Sequence, residues 1–361
     1  MVDRDDRAVT SITDDAPGDH ETDTADATTA SGGQVTARRW RNALVAGLRR
    51  TRHIVIVLFL VSLATFSLMQ FTPGDPAIAI LGEEFTEEEV QEIHEELGLD
   101  RPVVEQYFNW IGGVLTGDFG KAFSPPSLPV SQRLRAALPV TIELTVMAMT
   151  MALVMAVPIA VFSAYRTGRI FDRIGSSISF GLLSVPTFVV GLVLALLVTL
   201  EWDLLPRANW VRLTSDQGLA EHLRHAVLPA FVLSLHLASQ YTRLLRADMI
   251  QTLQEDYVAA ARARGLSSSY ILFRHALRPS TFSLVTLAGV NLGHLIGGTA
   301  IVETIFGLPG MGYMLVGAVQ TSDFPLVQGI VFVVAVLFVL INAVVDVLYR
   351  FLDPRTKRVD T

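Results

Sequence analysis

Asp256-Tyr-Val-Ala-Ala-Ala-Arg-Ala-Arg-Gly-Leu-Ser-Ser-Ser-Tyr-Ile-Leu-Phe-Arg-His-Ala-Leu-Arg-Pro279 is a soluble-looking insert between two long apolar runs. Tyr257 to Arg264 is alanine-rich and contains strong helix formers. Gly265 falls where a helix C′ residue must take positive φ. Ser267, Ser268 and Ser269 offer N-caps for a second helix beginning near Tyr270. The expected form is helix, glycine turn, helix: a compact knuckle at a membrane surface. Ala259, Ala260, Ala261 and Ala263 would let a partner's backbone approach closely, and Arg262 and Arg264 would add charge-assisted hydrogen bonds.

The apolar runs around this insert set the class. The chain is 51% hydrophobic and only 17% charged over 361 residues, too apolar for an ordinary soluble domain. Six stretches have the length to span a bilayer: about 53–71, 137–164, 175–200, 226–247, 280–302 and 326–350. Arginines fix their orientation. The N-terminal cluster, the loop with Arg166, Arg169 and Arg173, the stretch Arg243 to Arg278, and the tail with Arg350 and Arg355 fall on one side, taken as the cytoplasm. Both termini then face inward. The expectation is an all-α polytopic membrane protein with six transmembrane helices in residues 53–355.

Residues 1–37 are acidic and almost free of large apolar side chains, and read as a disordered tail, regulatory or inert. Residues 38–52 are basic. Trp40, Leu44 and Leu48 share one helical face there, which suits either an interfacial helix on anionic lipid or an extension of the first span. The loop 72–136 belongs outside and carries twelve acids. Thr86 and Glu89 have capping-box spacing, Val90, Ile93 and Leu97 form a helical stripe, Gly98 stops it, and Pro102 starts a second helix. Residues 201–225 read as an outer turn anchored by Trp202 and Trp210, with Pro206 and His222. Glu303-Thr-Ile-Phe-Gly-Leu-Pro-Gly-Met-Gly312 reads as backbone turning back, to line the outer mouth or simply to form a re-entrant turn. Residues 356–361 are a short tail.

Covalent chemistry has no visible site. Gly120-Lys121 lacks the rest of a phosphate-binding loop, a nucleophile elbow is missing, the eight histidines are scattered without metal spacing, and cysteine is absent. No basic, aromatic-laced face suggests nucleic acid. Polar residues inside the apolar runs are therefore the suspects for a permeation path, because each is costly in lipid unless it meets a cavity or a partner. They are Glu143, Gln240, Asn291, His294 and Glu303, with His236, Asn342 and Asp346 alongside. Helix–helix hydrogen bonding is the competing role for any one of them. Gly289, Gly293 and Gly297 form a small-residue ladder for close helix packing.

The knuckle resembles the cytoplasmic coupling loop of ATP-binding-cassette importer membrane subunits, in the dipeptide, oligopeptide and nickel branch. Asp256, Tyr257, Val258, Ala261, Arg262, Ala263, Arg264, Gly265 and Leu266 match that branch, followed by His275-Ala-Leu-Arg278. Ala259 replaces the glutamate of the wider pattern, and Pro279 falls one place late. Pro73-Gly-Asp-Pro76, Leu97-Gly-Leu-Asp-Arg-Pro102, Gly117-Asp-Phe-Gly120, the Glu303–Gly312 stretch and Asp323-Phe-Pro325 extend the likeness over about 53–355. The resemblance implies a type I importer permease fold with a helical external loop, in a prokaryotic plasma membrane. The coupling residues would be Asp256, Tyr257, Ala260, Ala261, Arg262, Arg264, Gly265 and Leu266, within a loop at 248–279. It further implies two cytoplasmic ATPase subunits holding ATP and Mg, a second homologous permease, an external solute-binding protein on the acidic loop, and membrane lipid around the bundle. Short peptides are the expected cargo, with nickel or another small solute as the alternative. A secondary transporter would need inverted repeats, and none is evident between the halves. A scaffold or secretion component would not need the knuckle.

Overall fold

The computed structural model describes residues 49, 51–67, 70, 76–81, 86–206, 209–213 and 218–352. The acidic tail, nearly all of the basic segment, Pro73 to Asp75 and the C-terminal tail lie outside the described residues. The chain divides into two units, Met1–Val57 and Leu58–Thr361, and the helical bundle is the second.

Among the described residues the fold is all-α. The elements are α1 (Thr51–Ser67), α2 (Pro76–Leu81), α3 (Glu87–Leu97), α4 (Val103–Thr116), α5 (Val130–Tyr165), α6 (Ile170–Ser184), α7 (Thr187–Leu194, continuing as wide helix Ala195–Glu201) and α8 (Gly218–Thr252). Then come α9 (Asp256–Ala263), α10 (Ser268–Tyr270, continuing as a wide turn Ile271–Leu277), α11 (Arg278–Gly298), α12 (Ala300–Ile305), α13 (Met311–Gln320) and α14 (Phe324–Leu352).

Length and apolarity identify three described helices as spans on their own: Val130–Tyr165, Ser268–Gly298 and Phe324–Val345. The segment expected as a straight span at 175–200 is instead two helices bent by 101°. Pro186 has no N–H for a continuing helix and drives Val185 into extended backbone, at φ −97 and ψ 127. The pair makes a fourth crossing if it counts as one span. The helix containing 226–247 is 35 residues long, but Glu221, Arg224, Arg243, Arg246 and Asp248 dilute its apolarity.

The main core joins α5 to α8. Leu144, Ala148, Ala152, Ala156 and Ala160 are all fully buried at four-residue spacing, forming one seam of mostly small side chains along α5. Against them α8 presents Ala226, Ala230, Leu237, Tyr241, Leu245 and Met249. The two helices run the same way: Glu143 meets His222, and Met149 further along meets Tyr241. A second core gathers Val130, Leu134 and Ala137 of α5 with Met311, Ala318, Leu326 and Ile330 of α13 and α14.

The segment between α1 and α5 folds as its sequence dictates. Thr86 and Glu89 make the reciprocal capping box, Gly98 closes α3 at φ +67, and α4 follows Pro102. The loop is tied down where Asp323, fully buried, accepts from the Ser124 backbone N–H at 2.9 Å and from its hydroxyl at 2.6 Å. Tyr107 of α4 meets Ser62 of α1 at 2.8 Å.

Candidate coupling and gating site

The knuckle has its own small core. Val258, Ala261 and Ile271 are buried together, with Leu253 against them. Ala261, at 1% exposure, therefore faces inward rather than toward a partner, while Ala259, Ala260 and Ala263 face out as expected. With about 100° per residue, Ala259, Ala260 and Ala263 share a face that Ala261 cannot: Val258 and Ala261 are i, i+3 neighbours on the stripe that meets Ile271. The end of α9 is a Schellman motif. Gly265 takes φ +78, its N–H donates to Arg262 O at 3.0 Å, and the Leu266 N–H donates to Ala261 O at 3.3 Å. Ser267 caps the next helix through the Tyr270 N–H.

What the knuckle offers outward is part apolar. Tyr257, Leu266, Tyr270 and Phe273 are all exposed, beside Asp256, Arg262 and Arg264. Tyr257 also makes an internal strut. Pro279 has no N–H to give the carbonyl four residues earlier, that of His275, and the Tyr257 hydroxyl donates to that oxygen at 3.1 Å. Partial burial, with the nearby Glu255 carboxylate adding to it, holds the Tyr257 hydroxyl protonated to higher pH than an ordinary tyrosine.

From this strut the chain is helical almost without interruption to Glu303. Ser268–Gly298 counts as one helix, and only Thr299, itself in helical conformation at φ −69 and ψ −20, separates it from α12. At the far end Glu303 is fully buried and its carboxylate is saturated. Oε1 accepts from the Thr141 hydroxyl at 2.7 Å and the Thr299 hydroxyl at 2.8 Å. Oε2 accepts from the backbone N–H groups of Gly312 at 2.8 Å and Tyr313 at 3.0 Å, in the first turn of α13. Thr141 Oγ1 in turn accepts from the Met311 N–H at 2.8 Å. A Cβ on Gly310 would lie 2.4 Å from the Glu303 carboxyl carbon, and one on Gly312 would lie 2.3 Å from Ala300 Cα. The glycines of this stretch are thus demanded by close approach, and the carboxylate pins α5, α12 and α13 together. In this conformation it faces protein, not a water path.

The other polar suspects divide. Gln240 and Asn291 come together: Asn291 Nδ2 donates to Gln240 Oε1 at 3.1 Å and to the Tyr241 hydroxyl at 3.3 Å, and the Gln240 amide meets His236 at 2.9 Å. This network bridges α8 and α11. His294 is exposed outside it, edge-on to Phe338 at 5.5 Å. Glu143 meets the buried His222 Nε2 at 2.6 Å, while His222 Nδ1 contacts Val211 O at 2.6 Å. A carbonyl can only accept, so His222 Nδ1 is the donor to Val211 O and Nε2 faces the Glu143 carboxylate. Trp210 is buried edge-on against His222, so it packs inside the chain rather than anchoring an interface. Gly289 and Gly293 lie against Val345 and Phe338 of α14, whereas a Cβ on Gly297 would meet nothing. Two rungs of the ladder pack α11 on α14, and the third is open. Asn342 donates to Phe338 O of its own helix at 2.9 Å.

Two features lie beyond the motifs read from the sequence. The Ala148–Ala160 seam repeats every four residues and is visible there as a pattern. The buried pair of Asp172 on α6 and Arg246 on α8, with Nη2 to Oδ2 at 2.8 Å, lies 74 positions apart and carries no signal.

Residues 156–358 match the family described as binding-protein-dependent transport system inner membrane component, and residues 44–145 match its N-terminal part. A probable peptide ABC transporter permease protein of Sinorhizobium fredii is 35% identical, covering 86% of this chain and 98% of that one. A putative peptide transport system permease protein of Brucella abortus is 38% identical over the same shares. A structure of the inward-facing MetNI methionine ABC transporter is 20% identical with a TM-score of 0.49, over 62% of this chain and 97% of that chain.

Proposed function

The chain belongs to the family of binding-protein-dependent transport inner membrane components, and on that premise we propose that it is the membrane subunit through which an ATP-driven importer passes short peptides. The peptide assignment is supported by the names of the relatives that match it along most of its length. Hydrolysis of ATP with Mg belongs to two separate cytoplasmic subunits, an external binding protein delivers cargo to the acidic loop, and a second homologous permease completes the path. Both termini face the cytoplasm.

The observation that carries the mechanism is the continuous helical rod from knuckle to gate. Closure of the ATPase pair pushes the exposed face of Tyr257, Ala260, Leu266 and Tyr270. The Tyr257 strut to His275 transmits the push into α11, because the knuckle cannot rotate without breaking that bond. About 40 Å away, at 1.5 Å per residue, the rod ends in the Glu303 carboxylate, which holds the outer turn to α5. Movement of α11 is eased at Gly289 and Gly293, where the backbone slides over Val345 and Phe338.

Purifying the chain with its native partners tests this. An associated ATPase and vanadate-sensitive peptide uptake are expected. A complex free of ATPase whose uptake is abolished by an uncoupler would place the protein among secondary transporters.

A further inference from the structure

Arg243 lies on α8 four residues before the inner end of the expected span and is exposed. Its guanidinium sits 4.9 Å above the ring of Phe180 on α6. Both side chains line a cavity of about 520 Å³ with Ser176, Gln240, Arg246 and Leu287. Arg246 is already neutralised by Asp172. Arg243 has no carboxylate partner among the described residues. The cavity therefore carries one uncompensated positive charge, and Gln240 in its wall leads to the Asn291 amide. So close to the inner end of its span, Arg243 can reach the water at the cytoplasmic mouth of the bundle, and the cavity beside it, walled by Ser176 and Gln240, is polar enough to hold a solute there.

We propose that Arg243 is an anion site of the permeation path and receives the terminal carboxylate of a short peptide. This rests on the peptide reading under Proposed function. A planar guanidinium pairs with a carboxylate through two parallel hydrogen bonds, and the Phe180 ring holds it ready without consuming its donors. Every linear peptide carries that carboxylate whatever its side chains, so one arginine recognises the class without reading sequence. The same charge disfavours a bare divalent cation as cargo.

The test uses the full complex in proteoliposomes with its binding protein, carrying labelled Ala-Phe and its C-terminal amide. The affinity of the binding protein for each is measured separately and divided out. Wild type should prefer the free acid. In Arg243→Gln the remaining preference should fall about tenfold, as expected for loss of a charge-assisted pair, and Arg243→Lys should restore part of it. Phe180→Leu, which leaves the charge but loosens its seat, should give a smaller fall and decides the matter should the glutamine variant fail to assemble. An unchanged acid-to-amide ratio in both variants overturns the proposal. So does a defect that follows phosphatidylglycerol content of the vesicles and not the peptide terminus, which would assign Arg243 to a lipid phosphate. Wild-type vesicles that import Ni²⁺ and neither peptide would overturn the functional reading beneath it instead.

Discussion

Gly265 shows how one backbone angle can matter more than one contact. Nothing lies within 4 Å of a Cβ placed there, so a substitution meets no clash, only the cost of φ +78. That cost is about 1–3 kcal/mol for a non-glycine residue and highest for a β-branched one. Gly265→Val should uncouple hydrolysis from uptake while Gly265→Asn, which tolerates the left-handed region, keeps both; wild-type transport by the valine variant would tell against the knuckle. Glu303 is the opposite case, where four donors converge on one side chain. Glu303→Gln turns an N–H₂ toward two of them and should cost about 2–4 kcal/mol, read as a fall in the melting temperature of the purified subunit. Glu89 offers a pH test. The Thr86 backbone N–H, then its hydroxyl, holds the Glu89 carboxyl below the usual range. Its contribution is present above the ordinary carboxylate value and is lost as pH falls through the lowered one. Protection of the Glu87–Leu97 amides against exchange should therefore fall, relative to that in α5, as pH drops below the ordinary carboxylate range.

At the scale of elements, the contact between α11 and α14 is set by absent side chains. A Cβ on Gly289 would sit 2.3 Å from Val345 Cγ1. Gly289→Ala should lower the yield of folded protein, and adding Val345→Ala should recover it, since only the pair removes the overlap; failure of the rescue would mean the helix is distorted elsewhere. These glycines were legible as a ladder in the sequence, but the openness of its third rung was not, because spacing gives the face of a helix and not whether a neighbour covers it. The α5 seam teaches the converse. Alanines at 148, 152, 156 and 160 say that something packs closely, yet only the fold names α8. The break at Pro186 was equally open to inspection; apolar length hid it, because hydropathy ignores the missing N–H.

For the molecule as a whole, the absence of cysteine makes single-site labelling clean. Ala260→Cys should crosslink to a nucleotide-hydrolysing neighbour and react only from the cytoplasmic side, and Asp118→Cys should react only from outside. Labelling in the reverse sense would invert the proposed orientation. The sequence by itself determined that this is a helical membrane protein with a helix–glycine–helix knuckle and a capped helix between its first two apolar runs, because periodicity, apolar length and capping chemistry are local along the chain. Only the tertiary structure decided that Glu303 is locked to Thr141, that Gln240 meets Asn291 while His294 stands apart, and that Ala261 is buried inside the knuckle. Those partners lie up to 162 positions apart, and no local pattern records which side chains the packing of helices will bring within hydrogen-bonding reach.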